Sequence, residues 1–203
     1  MIALIDYGMG NIRSVCKALE TVGAKVLITQ NAEDIKKAKA IVLPGVGAFK
    51  DCMTNLSQLE LLNVIKEEII KGKPYFGICL GMQILFTESE EFGICKGMDL
   101  LKGRVVRFNL TKEYKIPHMG WNIVRIKKKN KLLEPLLDKS YFYFVHSYYV
   151  VPEEANVVAG VTDYGIEFTS IIQHENIFAT QFHPEKSQKM GLKLLSNFVQ
   201  QTR

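Results

Sequence analysis

Three short stretches of this 203-residue sequence carry residue types suited to nucleophilic catalysis. In 77-GICLG-81 a cysteine stands between two glycines, after the β-leaning run 75-YFGIC-79 and before helix-type residues. This is the cysteine counterpart of the G-x-S-x-G elbow, where glycines relieve crowding around a strained nucleophile at a strand-to-helix turn. A helix beginning at Leu80 would favour thiolate over thiol at Cys79 and aim a backbone N–H at an oxyanion formed beside it. In 181-QFHPEKS-187, Pro184 biases His183 toward extended backbone, in which residues i and i+2 share a face. Glu185 is therefore expected beside His183, orienting its imidazole. Cys79, His183 and Glu185 then supply nucleophile, base and orienter. A second oxyanion donor is available from the glycine-rich loop 43-LPGVGAF-49. Taken singly, each stretch has a plainer alternative: a βα turn, a surface turn, and a second βα turn.

The elements around these stretches read as α/β. The runs 2-IALID-6, 25-KVLIT-29, 41-IVLPG-45 and 75-YFGIC-79 are short apolar strand candidates. Between them Ile12, Val15, Cys16, Leu19 and Val22 repeat at helical spacing, as do Leu62, Ile65 and Ile69. Strand–helix repetition implies a central, mostly parallel sheet flanked by helices, and chemistry in such sheets collects at the carboxyl ends of the strands. Cys79 stands at one of those ends, and Cys16, on the apolar stripe, is expected in the core. The second half is rich in antiparallel strand candidates: 103-GRVVRF-108, 121-WNIVRIK-127, 141-YFYFVHSYYVV-151, 158-VAGVT-162, 168-FTSIIQ-173 and 177-IFATQF-182. The last two flank a turn at 174-HEN-176, which takes up His174. An amphipathic helix from about Ser187, with Met190, Leu194 and Phe198 on one face, ends the pattern. The absence of repeats and linkers predicts one domain over residues 1–203.

With 47% hydrophobic and 23% charged residues, the composition is that of an ordinary globular chain able to bury one substantial core. The start MIALIDYG has neither a basic leader nor an apolar run long enough for export or spanning, so a cytoplasmic location is expected. Four irregularly spaced cysteines with no CxxC pair point to free thiols, and Cys52 and Cys95 have no base beside them in sequence. Four scattered histidines exclude a spaced metal site, and no cofactor is expected: 8-GMGN-11 is neither a P-loop nor G-x-G-x-x-G. Part of the net charge of +5 sits in 127-KKKNK-131, which without interleaved aromatics reads as a solvated hairpin tip rather than a nucleic-acid patch.

Together, 43-LPGVGAF-49, 76-FGICLGMQ-83 and 183-HPE-185 resemble the class I, or triad, glutamine amidotransferases, and the match runs nearly end to end. Within that class, 117-PHMGWN-122, 142-FYFVHSYY-149 and 183-HPEKS-187 are similar to the glutaminase subunits of imidazole glycerol phosphate synthases. The resemblance implies a Cys-His-Glu glutaminase in the fold of that class, with Cys79 as nucleophile, His183 as general base and acid, and Glu185 as orienter. It places the oxyanion between the amides of Val46 and Leu80. L-Glutamine would be gripped by Gly47, Gln83 and Glu91, with the backbone of His146, Ser147 and Tyr148 closing the pocket; the His146 imidazole itself reads as a buried, hydrogen-bonded core group. Glu91 falls in the acidic run 88-ESEE-91, whose plain alternative is a solvated helix end. The implied partner is a cyclase subunit that consumes the ammonia, docked near Asn11, His118, Trp121 and Lys186; Trp121 has a core position as its alternative. The triad by itself also admits a glutaminase feeding another acceptor, such as a sugar-modifying enzyme, or a stand-alone cysteine hydrolase.

Overall fold

The computed structural model of the protein describes residues 1–128, 131–133 and 139–202. The four apolar runs of the first half form strands β1 (Ile2–Ile5), β2 (Val26–Thr29), β3 (Ala40–Gly45) and β4 (Tyr75–Cys79). They pair in parallel in the order β2-β1-β3-β4. Helices α1 (Ile12–Thr21), α2 (Ala32–Lys37), α3 (Phe49–Gln58) and α4 (Leu61–Ile70) connect them. Helical spacing predicts α1 and α4; α2 and α3 lie outside that prediction. Alternation along the strands fills two apolar layers. Ile41, Leu43 and Tyr75 pack with Leu56 and Ile65 on one face, while Val42, Phe76 and Ile78 pack with Leu19, Leu194 and Phe198 on the other. Cys16 is only half-buried at the edge of the second layer.

Beyond β4 the chain makes one helical turn, α5 (Leu80–Gln83), then β5 (Phe86–Ser89), β6 (Cys95–Lys96) and β7 (Leu101–Arg107). The helix expected from Leu80 is present and lasts a single turn, and the acidic run 88–91, whose plain alternative was a solvated helix end, begins in a strand. The backbone that would have continued α5 is taken by residues further along: the Met98 N–H donates to the Ile84 carbonyl at 2.7 Å and the Leu100 N–H to the Leu85 carbonyl at 2.9 Å. Next come β8 (His118–Ile126), β9 (Ser140–His146), β10 (Tyr148–Pro152), β11 (Val158–Asp163), β12 (Glu167–His174), β13 (Ile177–Thr180) and helix α6 (Gln188–Gln201). The run 141–151, expected as one strand, is two. It breaks at Ser147, where β9 pairs with β8 and β10 crosses to β7 and β12. The tip expected at 127–131 includes Lys129 and Asn130, which lie outside the described residues.

The described strands form a thirteen-stranded mixed sheet. Its decisive feature is β13, which turns back from β12 through Glu175 and Asn176, then inserts beside β4 and runs parallel to it. Gly45 of β3 is level with Cys79, and Thr180 of β13 is level with Ile78. Parallel pairing puts all three carboxyl ends on one edge, so residues far apart in the chain meet there.

Candidate active site

Cys79 is the last residue of β4 and adopts φ 56° and ψ −104°, a left-handed-side geometry that a residue with a side chain occupies only under constraint. The constraint is crowding on both sides. A Cβ on Gly77 would lie 2.3 Å from the Gly81 carbonyl oxygen, and one on Gly81 would lie 1.9 Å from that of Leu43. Only glycine lets the turn fold so tightly against β3. With α5 a single turn, what it presents beside Cys79 is the unpaired amides at its start rather than a long helix dipole.

His183 follows β13 in extended backbone, with its N–H donating to the Tyr143 carbonyl at 2.9 Å and its carbonyl accepting from the Ser187 hydroxyl at 2.6 Å. Glu185 does reach it: His183 Nδ1 lies 2.9 Å from Glu185 Oε1, and both side chains are buried. The route differs from the expected one. Pro184 opens a 3₁₀ turn, Pro184–Lys186, and Glu185 swings back across that turn instead of sharing a strand face. Burial pulls the His183 pKa down, but Cys79 and Glu185 outweigh it and raise the group to about 10, so the imidazolium is favoured at neutral pH. Among the described residues His183 Nε2 makes no hydrogen bond of ordinary geometry, and the group that acts on it from this side is the Cys79 sulfur.

A cavity of about 380 Å³ opens over the sulfur, within the range of small-molecule sites. Its lining contains Val46, Gly47, Cys79, Leu80, Gln83, Glu91, His146, Ser147, Tyr148 and Lys186. The residues expected to hold the oxyanion and the substrate are thus brought to one place. Glu91 Oε2 accepts from the Phe49 N–H at 2.7 Å, which caps α3 from outside the helix. The His146 imidazole is buried, as expected: Nδ1 donates to the Tyr148 carbonyl at 2.8 Å and Nε2 lies 3.0 Å from Nδ1 of His118. Burial lowers the pKa of His146 to about 3 and that of His118 to about 4, so both are neutral.

Two groups come to light only in three dimensions. Gln181, fully buried after β13, donates its Nε2 to the Cys79 sulfur at 3.5 Å and accepts from Gln83 Nε2 at 3.1 Å. A buried glutamine at the end of an apolar strand run was the available signal. Tyr143 lies under Lys186, whose Nζ is 5.7 Å from its ring centroid, and meets Trp121 edge-on at 6.1 Å. Trp121 is 46% exposed, which removes its core alternative. Asn11 precedes α1 and is half-buried, whereas His118 points inward and stacks on Tyr164 at 3.9 Å. The structure therefore does not bring the His118 side chain to the surface with the other three residues expected near a partner. All four cysteines are free. Among the described residues no cluster of His, Cys, Asp and Glu could hold a metal ion, and no helix is long and apolar enough to cross a membrane.

Comparison with known proteins agrees with this architecture. The family model for class-I glutamine amidotransferases matches residues 3–202. The chain is 54% identical to the imidazole glycerol phosphate synthase subunit HisH of Aquifex aeolicus, over 96% of this chain and 94% of that protein. It is 47% identical to HisH 2 of Methanococcus maripaludis, over 99% of this chain and 100% of that protein. In fold it matches a crystal structure of a glutamine amidotransferase with TM-score 0.75 at 16% identity, covering 100% of this chain and 99% of that one. PurLQS from Thermotoga maritima matches with TM-score 0.71 at 18% identity, covering 99% and 95%. The chain belongs to the class-I glutamine amidotransferase family.

Proposed function

We propose that this chain is the glutaminase subunit of an imidazole glycerol phosphate synthase, acting as one domain in the cytoplasm and passing ammonia to a cyclase subunit for histidine biosynthesis. The observation that carries the reading is the near-complete, two-way coverage by curated relatives bearing that name, at 47–54% identity in the two compared above. The site supports the chemistry. Cys79, with its proton held on His183, attacks the side-chain amide carbon of glutamine, and the amides of Leu80 and Val46 face the resulting oxyanion. Collapse breaks the C–N bond, and the His183 imidazolium protonates the leaving nitrogen as ammonia departs, leaving a thioester on Cys79. Neutral His183 then takes a proton from water, which attacks the thioester and releases glutamate. Glu185 keeps Nδ1 protonated and stabilises the charged ring throughout. Gly47, Gln83, Glu91 and the segment His146–Ser147–Tyr148 hold the amino acid, with the Glu91 carboxylate suited to its ammonium group. Both N–H groups of Gln83 are already used, on Tyr148 and Gln181, so its oxygen is the atom left for substrate. Asn11, Trp121 and Lys186 mark the docking side, and His118 supports it from beneath.

Ammonia lost to water becomes ammonium and ceases to be a nucleophile, so hydrolysis is expected to wait for the partner. The test is glutamate release from glutamine by the purified chain, alone and with the cyclase subunit of the same source plus its nucleotide substrate. Low activity that rises strongly with the cyclase is the expected result. Turnover indifferent to the cyclase would keep the glutaminase and discard the partner.

A further inference from the structure

Behind the nucleophile, Gln181, Gln83, the Tyr148 carbonyl and His146 form a hydrogen-bonded series, in which the Gln181 carboxamide has no part in hydrolysis as described above. The Tyr148 carbonyl can only accept. Gln83 Nε2 lies 3.0 Å from it, which fixes the NH2 end of the Gln83 carboxamide there. The same nitrogen lies 3.1 Å from Gln181 Oε1, so the oxygen end of Gln181 faces Gln83 and its NH2 end must face the other way, to the Cys79 sulfur at 3.5 Å. The Tyr148 carbonyl is itself held by His146, whose ring is backed by His118 and, through His118 Nε2, by Asn122 at 3.3 Å. Each donor in this series faces a defined acceptor. Gln181 is fully buried, and β13 pairing with β4 fixes its place in the sheet. A carboxamide oriented this way offers an N–H to sulfur and no acceptor for a thiol proton, so it interacts better with thiolate than with thiol.

Resting on the reading of Cys79 as nucleophile, we propose that Gln181 is a hydrogen-bond donor to the reacting sulfur, held in register by Gln83 as a positioning residue, and that this donor favours the thiolate. The other titratable or charged groups that face this site are His183 and Glu185, Tyr7 and Cys52, and Glu91 and Lys186 along the cavity. Substitution at residue 181 leaves all of them in place.

The test is the pH dependence of Cys79 alkylation by iodoacetamide in the full chain, followed by mass spectrometry of the Cys79 peptide so that the other thiols do not interfere. Gln181→Met keeps the length and removes the donor, and should raise the midpoint pH by about one unit. Gln181→Glu should raise it further, by placing a carboxylate against the sulfur. Glutaminase kcat should fall about tenfold in Gln181→Met with KM within about twofold, the signature of a group acting on the nucleophile rather than on substrate. Wild-type alkylation midpoints in both variants would overturn the proposal. Should the variants not fold, the wild-type protein decides it: the Gln181 side-chain amide resonances should shift as Cys79 titrates, and unmoved resonances overturn it. Alkylation needs no glutamine. A Cys79→Ala variant that still hydrolysed glutamine would sink the nucleophile assignment without touching the alkylation result.

Discussion

The carboxyl edge of β3, β4 and β13 and the outer face of the β8–β9 hairpin are neighbours built on opposite terms. At the first, Cys79 and His183 are buried, backbone angles are strained and atoms approach so closely that a single added carbon would collide with β3. At the second, Met119, Trp121 and Tyr141 are 62%, 46% and 56% exposed, and cross-strand pairing of Trp121 with Tyr143 is the main constraint. The first region spends conformational strain to fix a reacting atom. The second offers exposed apolar surface suited to being covered. Substitutions should therefore act on rate and folding at the edge, and on association alone at the hairpin.

The largest effect should come from Cys79→Ala, with glutamine hydrolysis falling by about a millionfold while the fold persists. Its companion Cys79→Gly should be equally inactive yet gain about 1 kcal/mol in stability, read by urea unfolding, because glycine relieves the positive φ. Glu185→Gln should cost about a hundredfold to ten-thousandfold in kcat, since the ring keeps its shape but loses the partner of its charged form. A rate equal to wild type would remove Glu185 from the machinery and narrow the contrast between the regions. Gly81→Ala should destabilise by about 3 kcal/mol or more, as its methyl group meets the Leu43 carbonyl; a soluble variant with an unchanged unfolding midpoint would show that the edge can relax. Acid reports on the buried histidine pair. The folded pKa values of His118 and His146, about 4 and about 3, lie below the unfolded value near 6.5. Their contribution to stability is thus present above pH 6.5 and lost as pH falls toward 4, at about 1.4 kcal/mol per pH unit for each histidine. His183, shifted upward, is protonated in both states over that window and adds no slope. His118→Phe should flatten the slope between pH 6 and 4.5 in urea titrations. The smallest change in the free chain should follow Trp121→Ala: stability within about 0.5 kcal/mol, isolated glutaminase rate unaltered, and affinity for the cyclase down about tenfold by calorimetry. A large loss of stability there would mean the hairpin is core after all.

The parallel strands and the candidate triad were legible in the sequence because each is written locally: apolar runs of four to six residues, a cysteine between glycines, a His-Pro-Glu. What was not legible depends on chain segments meeting from afar. Gln181 reaches Cys79 only because β13 lies in register with β4, about a hundred residues earlier. The segment after Cys79 has helical composition, yet Phe86 pairs with Leu101 and tertiary pairing overrides propensity. Helix α3 starts where Glu91 caps it across 42 residues, a signal no local window contains. The break at Ser147 is equally non-local, since the two halves of one apolar run answer to different partner strands.

The place of β13 also sets a timetable. Until residues 177–187 have left the ribosome, β4 keeps an unpaired edge at the middle of the sheet, and Cys79 stands without His183, Glu185 or the Gln181 amide beside it. A nascent chain can thus collapse its first parallel strands early, but the pairing of β13 with β4 spans about a hundred residues and must come later.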